Sequence, residues 1–136
     1  MKKMFFLFSL FFFPFVSSAQ VSWSTSDKYT CYWDSDKTEW NNCSDIVEYN
    51  SLFFVNKGET MITHTTQDLK STYYVKNYEH TQEDVDNLLF KYGVVSDVGN
   101  EYSMFFDGKN KRIALLSFKG ETEDWYVIRI NVKSIF

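Results

Sequence analysis

The chain is poor in the residues from which metal sites and nucleophilic sites are usually built. It contains two histidines and two cysteines in 136 residues. Two cysteines without a nearby histidine do not make a structural zinc site, and neither histidine lies in a recognisable catalytic motif. Phosphate loops, dinucleotide fingerprints and a Gly-x-Ser-x-Gly motif are also missing from the sequence. These absences disfavour an enzyme, and we predict no cofactor and no bound metal.

Basic residues are outnumbered by acidic ones, 14 Lys and Arg against 18 Asp and Glu. The formal net charge is −4 at pH 7, and no run of basic residues occurs. Nucleic-acid backbones and anionic lipid surfaces attract basic proteins and repel acidic ones. We therefore expect no nucleic-acid partner and no binding to an anionic membrane surface.

Only one apolar run is long, and it lies at the N-terminus. Lys2 and Lys3 precede the run Met4–Val16, and the small residues of Ser17–Ala19 follow it. A positive start, an apolar core and small residues before a cut are the three parts of a secretory signal peptide. The run is shorter than the roughly 20 residues of a spanning helix, so we interpret it as a cleaved signal rather than an anchor. No cysteine stands at the cut, which argues against a lipoprotein.

We therefore divide the chain into a cleaved signal peptide, residues 1–19, and a single β-rich domain, residues 20–136. The signal contains seven of the fourteen phenylalanines, but nine tyrosines and four tryptophans remain beyond it. That aromatic content supports a packed core and argues against disorder. We expect a secreted or periplasmic monomer with no membrane span in the mature chain.

Turn-forming tetrads rich in Gly, Asn and Asp separate short segments rich in β-branched and aromatic residues. This punctuation predicts a mainly β fold, an antiparallel meander of about eight short strands that forms a barrel or a sandwich. The predicted strands are Lys28–Trp33, Ser51–Val55, Thr60–Thr66, Ser71–Lys76, Val94–Val98, Glu101–Asp107, Arg112–Phe118 and Trp125–Val132.

One segment has helical periodicity instead. Thr81, followed by acidic residues, is typical of a helix N-cap. Apolar residues then recur at i, i+3, i+4 and i+7 from Val85 to Tyr92, and Gly93 stands where a glycine commonly ends a helix. We predict one short helix near 82–92, packed by its apolar stripe against the sheet.

The cysteines predict a disulfide, Cys31–Cys43, because an even count in an exported chain is typical of paired cysteines. The enclosed segment resembles a hairpin with two competing registers. A two-residue loop places Trp33 opposite Trp40 and leaves the cysteines out of register, whereas a three-residue loop aligns the cysteines and separates the tryptophans. We expect the covalent bond to decide, although a bulge near residues 41–42 would permit both.

Aromatic side chains are the candidate ligand contacts, namely Trp33, Trp40, Tyr73 and Tyr74. On a stapled hairpin the two tryptophans, with Tyr32, would form a platform for a sugar ring or a partner surface. The alternative is that one tryptophan caps the core and the other lies on the surface.

These observations favour a small binding domain that contacts a small-molecule ligand or a glycan through aromatic side chains. The first alternative is a protein-interaction module, an inhibitor or envelope-assembly component whose partner is another protein. The least favoured is a small hydrolase or metal enzyme with His64 as its base. The simpler interpretation of His64 is a half-buried residue in a threonine-rich strand.

Overall fold

Antiparallel strands form most of the protein, as the alternation of apolar and polar residues predicts. The computed structural model describes residues 21–136, so the predicted signal peptide lies outside the described residues. The strands are β1 (Val21–Asp34), β2 (Glu39–Asn41), β3 (Val47–Glu48), β4 (Leu52–Val55), β5 (Met61–Thr65), β6 (Lys70–Tyr78), β7 (Leu89–Ser96), β8 (Glu101–Asp107), β9 (Arg112–Ser117) and β10 (Tyr126–Ile135). The described residues also contain a short helix, α1 (Gln82–Asp86), and a 3-10 turn (Thr122–Asp124).

The meander closes on itself. Strands β4 to β10 pair in sequence order, β4 also pairs with β1, and β10 returns to pair with β1 along most of its length. The result is an eight-stranded antiparallel barrel, with β2 and β3 added to β1 outside the ring. The predicted β-rich meander is confirmed, and closure makes it a barrel rather than a sandwich.

Strand β1 is longer than the predicted segment Lys28–Trp33, because it pairs with both β4 and β10 to close the barrel. Residues 21–24 pair with β4, residues 23–32 pair with β10, and residues 32–34 pair with β2. Register shifts between Ser24 and Asp27 interrupt the pairing with β10. Such shifts are typical of barrels, where a bulge lets one strand turn the corner.

Helix α1 begins where the sequence predicts but ends early. Thr81 and Asp84 form a capping box at its start. The helix ends at Asp86 rather than near residue 92, and Leu88 adopts a left-handed conformation with φ 59° before β7 begins. The segment after Leu88 pairs on both sides, with β6 and with β8, and this pairing outweighs its helical periodicity.

Gly93 consequently does not end the helix, although the sequence predicts that it does. It lies within β7, and a Cβ atom at this position would be 2.2 Å from Oδ1 of Asn77 on the neighbouring strand. The glycine therefore permits the close approach of the Asn77 side chain.

The barrel interior is filled by side chains. Its buried apolar members come from all eight ring strands and are Trp23, Phe53, Val55, Ile62, Tyr73, Tyr92, Val94, Met104, Phe106, Ile113, Leu115, Ile130 and Val132. Helix α1 lies at one end of the barrel, the helix end, and the Cys31–Cys43 hairpin extends from the opposite end, the hairpin end. No helix within residues 21–136 is long and apolar enough to cross a membrane.

Candidate functional site

The hairpin at the end of β1 accommodates both constraints that compete in the sequence. Cys31 and Cys43 form the predicted disulfide, and Trp33 pairs directly with Trp40. The turn that reconciles them is at Asn42, which has a left-handed backbone with φ 55°. Asparagine tolerates this conformation better than most residues. The expectation that the disulfide would override the tryptophan register is therefore wrong, whereas the suggested irregularity near residues 41–42 is present.

Four aromatic side chains meet beside this hairpin and define the aromatic cluster: Trp33, Trp40, Phe118 and Trp125. The ring centroids of Trp33 and Trp40 lie 5.1 Å apart in an edge-to-face arrangement, and those of Phe118 and Trp125 lie 5.0 Å apart. None of the four belongs to the buried core, and Phe118 is 47% exposed. Both predicted tryptophans are thus together on the outside of the barrel.

Beside the cluster is an open concavity of about 640 Å³, the hairpin pocket. It combines aromatic rings, carboxylates and amides within one surface. Its lining residues are Tyr32, Trp33, Asp34, Ser35, Asp36, Asn41, Asn42 and Glu123.

Asp34 is the fixed polar group of the hairpin pocket. One carboxylate oxygen accepts hydrogen bonds from the backbone N–H groups of Asp36 and Lys37, at 3.0 and 3.2 Å. The other accepts from Nδ2 of Asn41 at 3.0 Å. The Asn41 bond, followed by the backbone bonds, lowers the pKa of Asp34 below its ordinary value. The pocket therefore holds an ionised acceptor in a set orientation at neutral pH.

The hairpin is anchored at several points besides its disulfide. The backbone N–H of Trp33 donates to the carbonyl of Trp125 at 3.1 Å, which ties the hairpin to β10. The Ser35 hydroxyl donates to the hydroxyl oxygen of Thr122 at 3.0 Å, which ties its turn to the 3-10 turn. A site built on such supports needs little ordering when it binds.

The two predicted tyrosines lie elsewhere. Tyr73 is in the core, 8% exposed, and burial raises its pKa to about 12. Tyr74 faces outward from β6 and is 50% exposed. Because β4 and β5 separate β6 from β1 in the sheet, the structure does not bring either tyrosine together with the tryptophans. Their roles as ligand contacts stay predictions.

His64 packs within the barrel. Its ring stacks on Phe53, with centroids 4.0 Å apart, and its Nε2 lies 2.8 Å from the hydroxyl of Tyr49 in a hydrogen bond. Burial, and then the charge of Lys28, lower the pKa of His64 to about 4. The imidazole is therefore neutral at pH 7 and holds Tyr49 in place, a structural arrangement rather than that of a base oriented by a carboxylate. Among residues 21–136, no cluster of three or more His, Cys, Asp or Glu side chains could hold a metal ion.

Sequence reasoning missed Phe118, Glu123 and Trp125. The signal was present, because Phe118 ends one predicted strand and Trp125 begins the next. Consecutive antiparallel strands place such residues close together. What could not be foreseen is that β10 closes the barrel on β1 and brings this pair against Trp33.

No protein-family model, curated protein or solved structure matches this chain. Its function must therefore be inferred from the chemistry of its own surfaces.

Proposed function

We propose that the protein is an exported, non-catalytic domain that binds carbohydrate at the hairpin pocket. The observation that carries this proposal is the combination of partly exposed aromatic rings with an ionised, hydrogen-bonded carboxylate in one open concavity. Ligand sites typically pair apolar walls with a few fixed polar groups.

The chemistry of the pocket suits a neutral sugar. A pyranose ring has an apolar C–H face, which packs on an aromatic ring such as Trp33, and a rim of hydroxyl groups that donate and accept hydrogen bonds. Oδ2 of Asp34, which accepts one bond from Asn41, can accept another. The side-chain carbonyl of Asn41 can accept, because its NH2 group already donates to Asp34 and Glu39, and the amide of Asn42 can donate and accept. Asp36 and Glu123 add negative charge, which disfavours sulfated or uronic-acid sugars.

Export rests on separate observations. The N-terminal sequence has the layout of a signal peptide, and the disulfide between Cys31 and Cys43 suits an oxidising compartment. Both features support a secreted or periplasmic location, where polysaccharides are common ligands.

Calorimetric titration with neutral hexasaccharides of glucose, xylose and N-acetylglucosamine tests the proposal. We expect at least one of them to bind, and Trp33→Ala to weaken that binding about tenfold or more because it removes the central ring. Tyr74→Ala is the matched control, since it removes an exposed aromatic ring outside the pocket. No binding by any hexasaccharide, or an equal loss in both variants, would refute the assignment.

A protein partner is the second candidate, and one observation favours it. A groove of about 420 Å³ runs beside Phe118, with Leu116 in its wall and the Lys76–Glu101 ion pair on its surface. An exposed aromatic ring beside a groove is typical of a protein-binding surface. Leu116→Asp, in the groove wall and outside the hairpin pocket, should then abolish capture of a protein from the native envelope or culture medium and leave sugar binding intact.

A further inference from the structure

A second cavity lies at the helix end of the barrel, far along the strands from the hairpin pocket. This helix-end pocket has a volume of about 290 Å³. The core residues Trp23, Val55 and Phe106 form its inner wall, and the partly buried Phe90 and Val85 of α1 also line it. The pocket is therefore a largely apolar recess between the filled interior and the short helix.

One carboxylate is fixed at the edge of this recess. Glu59 lines the pocket, and its Oε1 accepts a hydrogen bond from the hydroxyl of Tyr92 at 2.6 Å. Nε2 of His80 lies 3.9 Å from the same oxygen. The side chain is half-buried, so the carboxylate faces both the pocket and solvent.

The turn between β4 and β5 fixes the backbone of Glu59. The residue has a φ of 53°, in the left-handed region that favours glycine. Thr38 and Lys111 adopt the same conformation in other hairpin turns, so it belongs to the turn geometry. The side-chain contacts of Glu59, rather than its backbone, therefore mark the pocket.

We propose that the helix-end pocket binds a small primary amine with an apolar body, an arylalkylamine or alkylamine. The ammonium group would donate a charge-assisted hydrogen bond to Glu59, and the apolar body would pack against the partly exposed Phe90 and Val85, next to the buried Trp23. Lys57 also lines the rim, but it is exposed, whereas Glu59 is held by Tyr92. The negative charge of the fixed Glu59 carboxylate therefore favours a cationic ligand.

The positions of the four tryptophans allow binding at the helix-end pocket to be distinguished from binding at the proposed sugar site. Trp23 lines the helix-end pocket, whereas Trp33, Trp40 and Trp125 belong to the aromatic cluster. In a ¹⁵N–¹H spectrum each indole N–H gives its own signal, so ligand binding at either end is observed independently.

The experiment is an indole-resolved NMR titration of the purified protein with 2-phenylethylamine, 3-phenylpropionate and 2-phenylethanol. We expect the amine to shift the Trp23 signal with a dissociation constant of about 1 mM or tighter. We expect the signals of the aromatic cluster to stay in place. The alcohol and the carboxylate should bind about tenfold more weakly or not at all.

Glu59→Gln should weaken amine binding about tenfold, because it removes the charge but keeps an acceptor for the Tyr92 hydroxyl. Val85→Phe should fill the recess and abolish binding. Glu123→Gln, in the hairpin pocket, is the matched control and should have no effect.

Two results would overturn the proposal. No shift of Trp23 at tens of millimolar amine would exclude the site. Tighter binding of the carboxylate, lost in Lys57→Gln and kept in Glu59→Gln, would exclude the amine as its ligand. Neither result bears on sugar binding, since that is observed at the other three indoles.

Discussion

The protein contains two groups of aromatic side chains with similar ring-centroid separations and very different surroundings. In the interior, the ring centroids of Trp23 and Phe106 lie 5.2 Å apart, and both residues are at most 2% exposed. In the aromatic cluster, the centroids of Trp33 and Trp40 lie 5.1 Å apart, yet both rings are only half-buried. Aromatic packing by itself therefore does not distinguish a core from a binding surface.

The two groups differ in exposure because one lies on the inner face of the sheet and the other on the outer face. Interior rings are enclosed by the other strands of the closed barrel, so their burial contributes to folding free energy. Rings of the cluster are covered only by one another and by a short stapled hairpin. Substitutions should therefore separate into those that lower stability and those that lower binding.

We expect the largest difference in unfolding free energy between the alanine variants of two phenylalanines, one in each group. Phe106→Ala should lower the free energy of unfolding by about 3–5 kcal/mol, because it leaves a cavity in a filled core. Phe118→Ala should lower it by less than about 1 kcal/mol, because Phe118 is 47% exposed. Urea unfolding with linear extrapolation measures both values. Similar losses in the two variants would remove the distinction between the groups.

Removal of the disulfide should act mainly at the hairpin end. The paired substitutions Cys31→Ala and Cys43→Ala open a loop with a sequence separation of 12. The chain-entropy model then gives a loss of about 3 kcal/mol. Sugar affinity should fall as well, since the hairpin loses its staple, whereas the Trp23 indole signal should keep its position. A variant with unchanged stability and affinity would show that the other anchors suffice.

As the pH falls, the stability of the barrel should decline before sugar binding at the aromatic cluster does. The pKa of His64 is about 4 in the folded barrel, below its ordinary value of 6.5, so the unfolded chain binds the proton more tightly. Stability is therefore fully present above about pH 6.5 and declines as the pH falls toward 4, by about 2–3 kcal/mol from this residue. Urea unfolding at pH 7 and at pH 4.5 measures the decline.

His64→Gln is the control for this pH dependence, because it removes the titrating group and leaves the acidic residues unchanged. Its stability should vary less over the same interval. The lowered pKa of Asp34 should keep that carboxylate ionised at pH 5, so sugar binding by the folded protein should persist there. An equal pH dependence in both proteins would show that His64 is not the cause.

Local features of the fold are predictable from the sequence, and contacts between distant segments are less so. The hairpin turns, most strand cores, the Thr81 cap and the disulfide depend on residues that are close in the chain. The end of α1 is harder to predict, because residues 85–92 fit a helical period while 90–96 fit a strand period. Pairing with both neighbouring strands decides between them.

In the candidate site, too, local contacts are easier to predict than contacts between distant segments. The hairpin sequence permits Trp33 and Trp40 to pair but does not decide between that register and the one that aligns the cysteines, which the turn at Asn42 reconciles. Phe118 and Trp125 reach them only because β10 pairs with β1, which joins opposite ends of the described chain. Tyr73 and Tyr74 have opposite exposures because adjacent strand residues face opposite sides, and composition does not reveal which side is covered.

The most direct test of the distinction between the two aromatic groups is the indole ¹⁵N–¹H spectrum during titration with the hexasaccharide that binds. We expect a progressive shift of Trp33, which lines the hairpin pocket, and smaller shifts of its neighbours Trp40 and Trp125, with the Trp23 signal unmoved. A shift of Trp23 without movement of the other three would contradict the account, because it would place the sugar in the barrel rather than on its outer aromatic surface.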